Sequence, residues 1–407
     1  MSDAVYHEDV LVQAFFHAWE RRLASVTKDR VVRPFDWGLD WIPKNGHHPG
    51  TAPETIVGDW VAEVMADTDA FFTPPPTSDY TFTPSDDGGL LTFPSAFETP
   101  HAANNTVYCR YFPARVKPGA AAGDDARLKP RAPQEDNARL KPRAPGDDDA
   151  RLKPRATASG EDDDVARGVS RANPRAAVLV LPQWNADPGG HVGLCRLLAW
   201  NGLTALRLSL PYHDQRMPPE LHRADYIVSA NVARTLQVCR QAVLDARRAI
   251  AWLASQGYDR IGILGTSLGS CLALLTTAHE PLIRAQALNH ISPYFADVVW
   301  RGLSTRHVRE GLDGHIELDL LRSIWKPISP RTYLHRLHDR RTLLVYARYD
   351  LTFPVDLSED LVSAFDDERV PYELAVLRCG HYSTGKTPFK YLDGWVLTRF
   401  LTRALTR

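Results

Sequence analysis

The spacing of apolar positions changes along the chain, and with it the elements that spacing predicts. Over residues 8–26, Val10, Leu11, Ala14, Phe15, Ala18 and Leu23 recur at helical intervals, predicting an amphipathic helix with this stripe inward. A second helix is predicted at about 53–71, with Ile56, Val57, Trp60, Val61, Val64 and Met65 facing in. With the Pro- and Trp-containing stretch 33–52 these form a helical cap over residues 1–89, its aromatic density reading as packing against the main body. Residues 90–93 and 106–112 are short strands. From residue 176 the pattern alternates: strands at 177–182, 203–209, 260–266, 284–290, 342–347 and 371–377, and helices at about 190–201, 225–255, 268–279, 356–367 and 388–405. That alternation predicts a parallel sheet with right-handed crossovers. Residues 293–340 interrupt it with helical spacing and no strand signal.

One segment has no periodicity that could build a core. Ala126-Arg127-Leu128-Lys129-Pro130-Arg131-Ala132 recurs at 138–144 and 150–156, with acidic units between the copies. One leucine per repeat cannot bury an apolar face, so residues 114–174 read as a disordered, charge-alternating surface insertion. Loop closure entropy grows slowly with length, so such an insertion is tolerated.

Composition narrows the classes. The chain has 407 residues and is 44% hydrophobic, enough for a sizeable core. Lys+Arg 48 against Asp+Glu 49 leaves a formal net charge of −1, which gives no global field for nucleic acid. No apolar run approaches the ~18 residues of a membrane span. The start of the chain lacks the basic and apolar regions of a signal peptide. Cys109, Cys195, Cys239, Cys271 and Cys379 are odd in number and contain no C-x-x-C, so a cytoplasmic setting without disulfides is expected.

The chemistry concentrates at three strand ends. Gly265-Thr266-Ser267-Leu268-Gly269 joins the apolar strand Ile261-Gly262-Ile263-Leu264 to an apolar helix. A G-x-S-x-G turn there strains the serine backbone and exposes its hydroxyl. A serine needs a base, and the base needs an orienting group. The strand Thr342-Leu343-Leu344-Val345-Tyr346-Ala347 runs into Arg348-Tyr349-Asp350, placing a carboxylate at its C-terminal end. The next apolar run ends in Cys379-Gly380-His381-Tyr382, placing His381 on the loop beyond its strand. Asp356 is the alternative acid, although a helix start makes capping its natural role.

On these motifs the chain resembles the α/β-hydrolase superfamily, over roughly residues 90–112 and 174–407, and within it little-characterised bacterial members with a serine nucleophile. The resemblance implies an α/β-hydrolase fold: a mostly parallel, eight-stranded sheet with helices on both faces and a lid over about 293–340. It implies Ser267 as nucleophile, His381 as general base and acid, and Asp350 as the residue orienting His381. The serine excludes the branches that use a carboxylate nucleophile. Many esterases carry a His-Gly pair after the strand that helps form the oxyanion hole; here that strand ends in Pro182-Gln183-Trp184-Asn185. The backbone amides of Trp184 and Leu268 are the expected oxyanion donors, with Gln183 or Asn185 as alternatives.

Other residues read as structural. His213 and His290 are taken as loop histidines, His307, His315, His335 and His338 as solvated, and Cys271 as a small core residue. No H-E-x-x-H or G-x-G-x-x-G is present, so neither metal nor dinucleotide cofactor is expected. The expected function is hydrolysis of a small, apolar carboxylic ester or thioester through an acyl-enzyme. The alternative is a non-catalytic scaffold that binds a ligand or protein partner.

Overall fold

The computed structural model describes residues 2–43, 50–115 and 175–406. The repeat insertion expected at 114–174 lies, apart from Ala114 and Arg115, outside the described residues.

The order of strands follows from which runs can be buried on both faces. β4 (Ala176–Leu181) is AAVLVL and buried at every position. It lies between β5 (Thr204–Leu208) and β6 (Arg260–Thr266) and pairs parallel with each. Continuous apolar strands are what a doubly covered parallel sheet requires. Val178 and Val180 pack with Cys195 and Leu198 of α4 (Val192–Trp200) and with Leu397 and Leu401 at the C-terminal end of the chain. Strand alternation turns Ala177, Leu179 and Leu181 to the opposite face. There α5 (Val232–Ser255) and α6 (Leu268–His279) contact β4.

β7 (Ile283–Asn289), β8 (Arg341–Ala347) and β9 (Glu373–Leu377) extend the parallel portion. β1 (Thr81–Ser85), β2 (Gly88–Pro94) and β3 (Thr106–Phe112) add an antiparallel flank through β5. The order is β1-β2-β3-β5-β4-β6-β7-β8-β9, nine strands where eight were expected. The addition is β1, TFTPS, which pairs only with β2 and is largely exposed. A polar edge strand containing a proline has no apolar run to signal it.

The chain leaves β4 for β5 on one side and returns to β6 on the other, so the order reverses at β4. Open α/β sheets form their ligand crevice beyond the C-terminal strand ends at such a reversal. Residues 293–340 fold as α7 (Phe295–Arg301), α8 (Arg306–Leu312), α9 (Leu318–Ile324) and 3-10 turns. Trp325 there is fully buried and donates Nε1–H to Val232 O at 3.0 Å. α10 (Val355–Asp367), α11 (His381–Thr384) and α12 (Phe389–Thr406) complete the chain.

The first segment holds α1 (Ser2–Ala24), α2 (Pro53–Ala66) and α3 (Thr68–Phe72). α2 buries Val57, Trp60, Val61 and Val64. The inner face of α1 differs from expectation: Leu11 is 72% and Phe15 62% exposed, while Glu20 and Ala24 are buried and Phe16 stacks on Tyr349 at 4.7 Å. Glu20 turns inward to meet backbone donors, and this rotates the apolar stripe toward solvent. Among the described residues no helix is long and apolar enough to cross a membrane.

Candidate active site

Ser267 sits between β6 and α6 with φ 56° and ψ −121°, a conformation costly for a residue with a side chain. Close approach holds it there. A Cβ at Gly265 would lie 2.1 Å from Gly269 O, and one at Gly269 2.2 Å from Leu181 O, so the turn fits only with glycine at both positions. Ser267 N–H donates to Asn289 O at 2.8 Å, and Ser270 Oγ lies 2.6 Å from Ser267 O. The Ser267 side chain opens onto a cavity of about 870 Å³ whose wall also includes Trp184, Leu268, His290 and His381.

Asp350 and His381 meet beside that cavity. Asp350 is buried; its Oδ1 accepts the amides of Thr352 (2.7 Å) and Phe353 (2.8 Å). Its Oδ2 accepts His381 Nδ1–H at 3.0 Å. A second imidazole, His290, shares Oδ2 through Nδ1 at 3.1 Å, with the two rings 4.7 Å apart. Burial pushes the Asp350 carboxyl up, but the His381 charge and both imidazole hydrogen bonds outweigh it and hold Asp350 far below the carboxylate range. Burial pushes His381 down, yet the Asp350 charge and hydrogen bond raise it above its ordinary value. Asp356, the alternative acid, is exposed on α10 and ion-paired with Arg301 at 2.7 Å.

His290, expected as a loop histidine, reaches Asp350 across the fold, and no local pattern shows that contact. Its φ of 58° is one of four left-handed non-glycine backbones on the cavity wall, with Asn185, His191 and Ser267. His290, Asp350 and His381 also place three donor atoms within 4.8 Å of one another. The separations from Oδ2 are hydrogen-bond distances and both nitrogens act as donors, so the trio reads as a proton network and not as a ligand set.

The expected oxyanion donors face the same cavity. Leu268 N is the first amide of α6, which has no acceptor one turn back. On the β4 loop, Asn185 N–H donates to His213 Nε2 at 2.9 Å, and His213 Nδ1–H in turn donates to Pro211 O. Burial pushes His213 down to about 4, keeping that nitrogen free to accept. This occupies Asn185 and leaves the Trp184 amide without an acceptor among the described residues. Trp184 Nε1–H donates to Ala224 O at 2.9 Å, while Ala224 N–H donates to Asn185 Oδ1 at 2.8 Å, which fixes the loop.

Two further carboxylates lie close by. Glu20, fully buried, accepts the amides of Tyr382 (2.8 Å) and Ser383 (2.9 Å) and so caps the helix that begins at His381. Asp393, on the cavity wall, accepts Asn289 Nδ2–H at 3.0 Å, and burial pushes it up to about 6. The cysteines are buried free thiols, with Cys271 pushed up to about 12 by burial, which removes it as a rival nucleophile. His307, expected in solvent, lies on the inward face of α8 and is buried against Trp184.

No family model and no curated protein matches the sequence. Solved structures do match. The acetyl xylan esterase from Paenibacillus sp. R4 is similar at a TM-score of 0.55 and 12% identity, over 90% of this chain and 98% of that one. Acetyl xylan esterase 1 from Thermoanaerobacterium sp. JW/SL YS485 gives 0.51 and 12%, over 90% and 99%. Pyrococcus horikoshii acylaminoacyl peptidase gives 0.51 and 12%, over 81% of this chain and 43% of that one. The chain thus spans less than half of the peptidase. At such identity the likeness concerns architecture, and with the strand order and the Ser267 turn it establishes that this chain has the α/β-hydrolase fold.

Proposed function

We propose that this protein is a serine hydrolase that cleaves a carboxylic ester or thioester through an acyl-enzyme. The observation that carries the reading is that a strained, glycine-locked Ser267 shares one cavity with an Asp350-bound His381. Asp350 keeps the Nδ1 proton on His381, so Nε2 takes the Ser267 Oγ proton as Oγ bonds to the ester carbonyl carbon. The carbonyl electrons move to oxygen, and the amides of Leu268 and Trp184 stabilise the oxyanion. Collapse breaks the bond to the leaving group, which leaves as an alcohol or thiol with the proton from His381. Water then gives a proton to His381 as its oxygen bonds to the acyl carbon; the acyl–Oγ bond breaks, Oγ takes that proton back from His381, and the acid is released with Ser267 restored. Asp350 stays ionised throughout.

Two structural neighbours are acetyl xylan esterases, which supports an ester substrate by analogy of fold. Leu194, Val298, Val299, Phe295 and Phe353 on the cavity wall support an apolar portion in that substrate. The unpaired buried cysteines support a reducing, cytoplasmic setting. The test is intact mass after fluorophosphonate treatment of the wild type and Ser267→Ala, followed by an ester panel. One adduct is expected on the wild type and none on the variant, whose turnover falls on the order of 10⁴- to 10⁶-fold. A folded wild type that takes no adduct would overturn the reading in favour of a binding scaffold.

A further inference from the structure

Two arginines that the proposed chemistry does not use line the cavity. Arg30 follows α1, and Arg223 lies on the loop before α5. Arg30 donates from Nη2 to Tyr382 Oη at 2.9 Å, while its Nε is buried with no partner. No carboxylate lies within ion-pair distance of Arg30 among the described residues. Arg223 pairs with Asp29 through Nη1 at 3.1 Å, and its Nε, which makes no hydrogen bond, lies 3.7 Å from Asp225 Oδ1. Asp225 is shared with Arg33 at 3.1 Å. Three guanidinium groups (Arg30, Arg33, Arg223) thus face two carboxylates (Asp29, Asp225), which leaves one positive charge in excess.

His307 packs behind Trp184, outside the lining of the cavity. It is 6% exposed and lies flat on Trp184, with centroids 5.7 Å apart and 6° between planes. Both of its ring nitrogens are buried without a partner. Burial, then Arg223 and Arg30, push it down to about 4, so it is a neutral ring with one N–H to donate and one lone pair to accept. Guanidinium forks match the paired oxygens of carboxylates and phosphates.

We propose that Arg30 and Arg223 form an anion-binding subsite, and that the ester cleaved at Ser267 carries a carboxylate or phosphate group held there. The inference rests on the serine-hydrolase reading and adds the substrate class: an amphipathic ester, its charged end at the arginines and its apolar part against Val298, Val299 and Phe295. Binding a remote charge orients the carbonyl at the nucleophile.

The test compares kcat/KM for mono-p-nitrophenyl glutarate and for neutral p-nitrophenyl pentanoate in wild type, Arg30→Gln and Arg30→Lys. The anionic-to-neutral ratio is expected to fall on the order of tenfold in Arg30→Gln, chiefly through KM, and to return partly in Arg30→Lys. An unchanged ratio overturns the subsite. Glutarate and inorganic phosphate are then titrated against fluorophosphonate labelling. Protection by one alone assigns that anion, and protection by neither overturns the proposal. A wild type that takes no label yet binds either anion by calorimetry, with binding lost in Arg30→Gln, keeps the subsite and rejects the serine-hydrolase reading.

Discussion

Asp350 Oδ1 accepts two backbone amides while Oδ2 accepts two imidazoles, so the carboxylate keeps its place when either histidine is replaced. His290→Asn keeps a side-chain donor and tolerates the left-handed backbone; His290→Val does neither. Steady-state kinetics are therefore expected to show a loss of a few-fold for Asn and on the order of tenfold or more for Val, with Val also lowering the denaturation midpoint. In the proposed mechanism His381 acts as a base only when neutral, and this sets the sign of the pH dependence. Its pKa is raised, so activity is lost as pH falls through a value above the ordinary 6.5. An acid limb in the kcat/KM profile below that value would contradict the assignment. Asp350→Asn removes the charge that raises it, so the limb moves to lower pH while kcat drops on the order of 10⁴-fold.

At the level of elements, α1 bears on the site through one side chain. Glu20 holds two amides at the start of α11, and a Cβ on Gly380 would lie 2.4 Å from its Cδ. Glu20→Ala is expected to cost about 1–2 kcal/mol in a denaturant titration, as lost caps do, and to lower kcat/KM by loosening His381. Equal kcat/KM in the variant would detach α1 from the chemistry. The sequence hid this contact because a charge beside an apolar stripe reads as solvent-facing, and the groups that reward its burial lie 362 and 363 positions away. What was legible was local: the elbow glycines, the apolar parallel strands and the polar residues at their ends. What was not legible depends on pairing across the fold, as with His290 on Asp350, His307 on Trp184 and the polar edge strand β1.

For the whole molecule, the reversal of strand order at β4 brings the β4 loop, the β6 turn and the ends of β8 and β9 to one rim. The repeat insertion enters between β3 and β4, and neither Ala114 nor Arg115 lines the cavity. Deletion of residues 120–172 is expected to leave ester turnover within about twofold of the wild type, since shortening a long loop changes closure entropy only slightly. A larger loss would give the repeats a part in catalysis.

Glu20 and the amides it caps also set a schedule. Ribosomes make about 5–20 residues per second, so α1 emerges roughly 20–70 s before Tyr382 and Ser383 exist. For that interval its carboxylate lacks the amides it caps, and α1 docks on α11 only once that later segment has been made. The support for His381 therefore forms late relative to α1, and a nascent chain that stops short of Ser383 lacks it.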